Sequence, residues 1–131
     1  KKHMLRAVYE GIVFSHVTHV KKLLRNREIP KSIRLSGGAA NSDVWVQIFA
    51  DALQIPIDVV GDKELGAQGA AMAAGIAAGI YKDYQEAVSR TVKITKTIYP
   101  RPEYKEIYEK KYAAYRAVID GLSGAWEYFK N

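Results

Sequence analysis

The sequence predicts an α/β fold built on a parallel βαβ unit flanked by helices, and three observations predict it. Two short apolar runs, Ile33-Arg34-Leu35 and Ile57-Asp58-Val59-Val60, bracket a segment in which Val44, Trp45, Ile48, Phe49, Ala52 and Leu53 recur at helical spacing. Strand, helix and strand within 28 residues, from 33 to 60, demand a parallel pair with a right-handed crossover. Long helical patterns stand on either side, over residues 4–25 and 103–120. Two parallel strands do not finish a sheet, so the pair is expected to belong to a larger one.

The 131 residues suit one domain or part of one, with an ordinary hydrophobic fraction of 48%. The net charge of +6 is moderate. Its densest stretch, Lys21-Lys22-Leu23-Leu24-Arg25-Asn26-Arg27, is interrupted by two leucines and reads as a solvated helix end rather than a nucleic-acid surface. The chain has no cysteine, which excludes disulfides and thiolate zinc sites. No apolar run approaches the roughly 20 residues of a membrane span, and the start carries no cleavable signal pattern. A cytoplasmic protein without membrane or nucleic-acid partners is the expectation.

In the first helix, Leu5, Val8, Ile12, His16, Val20 and Leu23 or Leu24 fall on one stripe, which is expected to face the core. The pattern is already running at Met4 with no capping residue before it. His16 and His19 lie three apart, but no third ligand stands at a compatible spacing, so no metal site is assigned. After the first strand comes Ser36-Gly37-Gly38-Ala39-Ala40-Asn41-Ser42, a glycine turn leading into a helix start. Glycines admit positive φ and close ligand approach, and a helix start offers unpaired N–H groups, so the junction favours an anion. It equally suits an ordinary connection in which Asn41 or Ser42 caps the helix. The dinucleotide and Walker patterns both fail here, the first because Ala39 occupies the place of its second glycine.

The second helix ends before Pro56. Residues 66–79 are almost all small; Gly69 and Gly75 within a helix suggest a close neighbour, and tight packing of this helix on the sheet is expected. Asp83 and Glu86 have the spacing of a capping box, placing a short helix over 84–90. Thr91 to Tyr99 suits a short edge strand. The last helix carries Tyr104, Ile107, Tyr108, Tyr112, Tyr115 and Ile119, a core face whose hydroxyls reach the surface.

Taken in order, these segments resemble the FGGY carbohydrate kinases. His3-Met4-Leu5-Arg6-Ala7-Val8-Tyr9-Glu10-Gly11 is similar to the latter half of a family signature. Ser36 to Ser42, with Trp45, Gln47 and Ala50-Asp51 following, resembles the family's adenine-nucleotide motif. The small-residue run from Glu64 to Gly75 resembles the small-residue helix that follows that motif, and the segment from Tyr99-Pro100 to Tyr115 is similar to the family's tyrosine-spaced terminal helix.

The resemblance implies an actin-like, ribonuclease-H-like ATPase domain, of which residues 1–131 are the later part of the second, nucleotide-binding lobe. Gly37, Gly38 and Ala39 would approach ATP through backbone, and Ser42 and Asn41 would contact the nucleotide. Asn41 departs from the basic residue of some pentulose kinases. ATP and Mg2+ are the implied cofactors, with a small sugar as substrate: a ketopentose such as xylulose, or gluconate or glycerol. No segment matches the family's catalytic aspartate, so no catalytic residue is assigned and the fragment alone is expected to be inactive. Its implied partner is the N-terminal part of the same enzyme, and an isolated chain with an open sheet edge is expected to self-associate. The alternative is a non-enzymatic binding or assembly module on an actin-like lobe.

Overall fold

The computed structural model describes residues 1–61 and 64–129. Five α-helices and three strands follow in the order α1 (Lys2–Leu23), β1 (Ile33–Leu35), α2 (Asp43–Leu53), β2 (Ile57–Val60), α3 (Leu65–Ala77), α4 (Tyr84–Thr91), β3 (Ile94–Ile98) and α5 (Lys105–Gly121). Short 3-10 segments occupy Gly38–Asn41, Pro102–Tyr104 and Ser123–Phe129.

β1 and β2 pair in parallel, with Ile33 opposite Ile57 and Leu35 opposite Val59, which is the βαβ unit the sequence predicts. β3 joins β2 in the antiparallel sense, with an irregularity at Val59/Val60, so the sheet is mixed and ordered β1-β2-β3. β1 is therefore paired on one side only.

α2 is the centre of the molecule because it is apolar on most of its circumference. Val46, Ile48, Phe49 and Ala50 are buried with Ile57 and Val59 of the sheet and with Val13, Phe14 and Val17 of α1. Its C-terminus turns at Gln54, which adopts φ 54°, ψ 35° and returns its N–H to the Ala50 carbonyl at 2.8 Å. α5 closes the other side: Phe14 sits among the rings of Tyr108, Tyr112 and Tyr115, with centroids 6.3, 5.9 and 5.6 Å away. The tyrosine hydroxyls meet polar partners, Tyr108 receiving Arg6 Nη2 at 2.6 Å and Tyr112 facing Thr18 Oγ1 at 3.1 Å.

Two expectations are corrected. Of the expected stripe, Leu5, Val8 and Ile12 face outward and His16, though exposed, lies beside Phe49, and α1 instead buries Glu10, Val13, Phe14 and Val17. A charged residue at position 10 hides the true core face from a hydrophobicity reading, because Glu10 is neutralised in place by Arg6 and Lys111. Likewise α3 packs on α4 rather than on the sheet, and only its Met72 and Gly75 are buried. Gly75 is required by the ring of Tyr81, which a Cβ would meet at 2.7 Å, whereas Gly69 faces open space. Beyond it, Gly79 at φ 74° ends α3: its N–H reaches the Ile76 carbonyl at 3.0 Å and the Ile80 N–H reaches Gly75 at 2.8 Å, the paired bonds of a Schellman cap.

Asp83 caps α4, its carboxylate accepting from Glu86 N–H at 2.9 Å, while the Glu86 carboxylate accepts from Lys82 N–H at 2.7 Å, one residue before the cap position that a full capping box would use.

Candidate functional site

The glycine bend lies between β1, which fixes where it starts, and α2, which fixes where it ends. Gly37 takes φ 80°, a conformation open to glycine and strained for other residues. The chain then closes one 3-10 turn, Ala40 N–H to the Gly37 carbonyl at 3.0 Å and Ser42 N–H to the Ala39 carbonyl at 3.3 Å. Ala40 points inward and is buried in the core, which anchors the turn from below. Ser42 is extended and caps α2, its Oγ accepting from Trp45 N–H at 3.4 Å.

All five residues expected to meet the nucleotide come together here. Gly37, Gly38 and Asn41 are exposed, and Ala39 and Ser42 half-buried. The N–H groups of Gly38 and Ala39 open the turn and have no acceptor among the described residues, as first-turn donors do not. A Cβ on Gly38 would meet nothing within 4 Å, and no positive φ is needed there. The fold therefore accounts for glycine at 37 and leaves an accessible, donor-rich backbone at 38. Asp43 follows in the first turn of α2, where it pairs with Lys96.

The remainder of the motif faces the other way. Trp45 stacks on Tyr9 with centroids 4.6 Å apart, and its indole N–H is buried without a partner among the described residues. Asp51 is fully buried, held by Gln47 Nε2 at 2.9 Å, Arg101 N–H at 2.9 Å and the Arg101 guanidinium at 2.6 Å. It fastens the segment between β3 and α5 beneath the bend's helix and has no open route to a ligand.

Two further carboxylates belong to the frame, and neither was singled out from the sequence. Burial works to raise the pKa of Glu10, but hydrogen bonds from Arg6 at 2.8 Å and Lys111 at 2.9 Å outweigh it and hold the group below the usual carboxylate range. Asp58, on the middle strand, is lowered by hydrogen bonds from Ser32 and Thr97, each at 2.6 Å, against a smaller opposing effect of burial. The Arg6/Glu10 spacing of four residues is a signal the sequence does carry; Asp58 leaves none beyond an acid inside a strand pattern. His16 and His19 lie with ring centroids 6.5 Å apart, and His16 packs near Phe49. Among the described residues no group of three His, Asp or Glu side chains gathers into a metal-binding cluster. No helix of the described residues is long and apolar enough to cross a membrane.

Comparison with known proteins agrees with the geometry. The profile of the FGGY family of carbohydrate kinases, C-terminal domain, matches residues 1–78. The chain is similar to the L-xylulose/3-keto-L-gulonate kinase of Escherichia coli K12, 36% identical over 124 residues, covering 95% of this chain and 25% of that protein. It is also 31% identical over 125 residues to the autoinducer-2 kinase of the same organism, covering 95% of this chain and 24% of that one. The ligand-bound xylulose kinase of Lactobacillus acidophilus superposes with a TM-score of 0.86 at 28% identity, covering 97% of this chain and 26% of that one. The chain thus spans about a quarter of the length of the relatives it matches. With the family model, the relatives and the fold in agreement, the chain belongs to the FGGY family of carbohydrate kinases, within the family's C-terminal domain.

Proposed function

We propose that this chain supplies the ATP-binding part of a sugar kinase, in a lobe of the actin-like, ribonuclease-H-like type. The observation that carries the reading is the exposed bend at 37–39, with two donors lacking acceptors among the described residues and space above Gly38. Gly37, Gly38 and Ala39 present main-chain N–H groups to the phosphates, and Asn41 and Ser42 border the nucleotide. Phosphoryl transfer depends on positioning and charge stabilisation rather than on covalent help from the protein, and a rigid backbone donor set suits the first of these.

The remaining requirements fall to the rest of the enzyme. The base that takes the sugar hydroxyl's proton and the pocket that selects the sugar belong to its N-terminal part. Mg2+ would supply positive charge at the phosphates when bound, with its protein ligands in that part rather than among the residues assigned here. A ketopentose such as xylulose is the substrate we favour, since xylulose stands in the names of several relatives, and the compartment is cytoplasmic. The test is Gly38→Val in the full-length enzyme, followed by calorimetric titration with ATP. A Cβ branch above the bend obstructs backbone approach, so affinity should fall about tenfold or more, as loss of one to two charge-assisted hydrogen bonds implies. Unchanged affinity would overturn the assignment.

A further inference from the structure

The glycine bend leads into the start of α2, and that start carries a charge of the wrong sign for a phosphate. Between Leu35 and Ala50 the sequence holds a single ionised side chain, Asp43, the first residue of α2. A carboxylate in the first turn complements the positive end of the helix dipole. It therefore uses the same field that an anion at the bend would use, and it stands directly after Ser42 with its side chain 75% exposed.

The fold answers this charge from a distant part of the chain. Lys96 stands opposite Val59 in the β2/β3 pairing, and Val59 is buried in the core with α2. Paired residues share a face of the sheet, so Lys96 lies on the side that carries α2. Its Nζ donates to Asp43 Oδ1 and forms an ion pair with it across 53 residues of sequence. No other cation pairs with Asp43 among the described residues. An ion pair as exposed as this one contributes little to folding. Its effect on a nearby polyanion is larger, because each phosphate charge feels the field of an uncompensated carboxylate and the effects add.

We propose that Lys96 is a positioning residue for the nucleotide: by neutralising Asp43 it leaves the bend's N–H groups and the positive end of α2 to the polyphosphate. The proposal rests on the reading of the bend as the ATP site. It adds a residue from β3, outside the glycine motif, that acts through charge on Asp43 and not through contact with ATP.

The test is calorimetric titration of full-length enzyme variants with ATP and with adenosine, which has the base and sugar but no phosphate. Lys96→Ala should weaken ATP binding about three- to tenfold and leave adenosine binding unchanged, as a charge effect requires. Its unfolding midpoint should stay within about 2 °C of the parent's. Lys96→Arg keeps the charge and should bind ATP within about twofold of the parent. Asp43→Asn alone should bind ATP at least as tightly as the parent. The deciding variant joins Lys96→Ala to Asp43→Asn: with the carboxylate gone, ATP affinity should return to within about twofold of the parent's. A double variant as weak as Lys96→Ala would overturn the proposal and assign Lys96 to direct phosphate contact. Equal losses for ATP and adenosine would overturn it in favour of a purely structural pair. Gly38→Val beside these variants separates the two readings. If it weakens ATP binding and Lys96→Ala does not, the charge proposal falls and the bend stands. If it has no effect while Lys96→Ala weakens binding and Asp43→Asn restores it, the bend's backbone is removed from the site and the charge pair stands.

Discussion

Replacing Asp51 by alanine should cost about 3 kcal/mol of stability, because its carboxylate is the point where α2 holds the segment leading into α5. The group is 0% exposed and accepts from Gln47 Nε2, from Arg101 N–H and from Arg101 Nε and Nη2, the last two at 3.2 and 2.6 Å. Hydrogen bonds to charged groups are each worth about 1.5–3 kcal/mol, and breaking a buried pair costs about 3–5 kcal/mol. The Arg101 side chain is 43% exposed and regains water when its partner is lost, which places the cost at the lower end. At about 3 °C per kcal/mol for a chain of this size, Tm should fall by about 10 °C. Asp51→Asn keeps the shape and one acceptor and should lose about half as much. Urea unfolding followed by circular dichroism measures both, with a shifted midpoint and an unchanged slope. A cycle with Arg101→Ala should show coupling of about 1–2 kcal/mol. An alanine variant within about 0.5 kcal/mol of the parent, or an additive cycle, would refute the reasoning.

Glu10 gives stability a pH dependence. Its folded pKa lies below the ordinary 4.5, so its contribution is complete above that value and disappears as the pH falls through the folded pKa. Acid titration of the unfolding midpoint should show that loss, and Glu10→Gln should flatten it. Ser42→Ala removes the cap of α2 and should cost about 1 kcal/mol in chemical denaturation, with a smaller effect if water replaces the 3.4 Å bond. The one-sided pairing of β1 leaves an open edge, so the isolated chain should associate as its concentration rises. Light scattering that stays monomeric at high concentration would contradict this.

The βαβ unit was legible because its two periods, alternating runs around a three-and-four repeat, are local properties of the chain. The bend was legible for a similar reason: glycine at 37 is a local conformational need, met at φ 80°. The third strand at 94–98 was visible only as a weak alternation, since its register is set by β2 and not by its own residues. What local reading could not supply was the side of an element that finds a partner. α1 has two apolar stripes, and the one with the cleaner spacing is uncovered. The packing of α3 failed differently, because Gly75 makes room for Tyr81 six residues later rather than for the sheet.

The motif around the glycine bend divides into two jobs once its residues are placed. Gly37 and Gly38 lie outward with open space above them, while Ala40 is buried below and Asp51 is enclosed two turns along α2. Trp45 and Gln47 likewise spend their side chains on Tyr9 and on Asp51 and the Tyr99 carbonyl. Most of the matching positions therefore hold the bend in place, and few of them offer anything a ligand could touch. Backbone donors carry no side-chain identity, so their aim depends wholly on such supports. It follows that substitutions at Asp51 or Ala40 should alter nucleotide binding through the angle of the bend. Substitution at Gly38 should alter it by obstruction alone, with stability left near that of the parent.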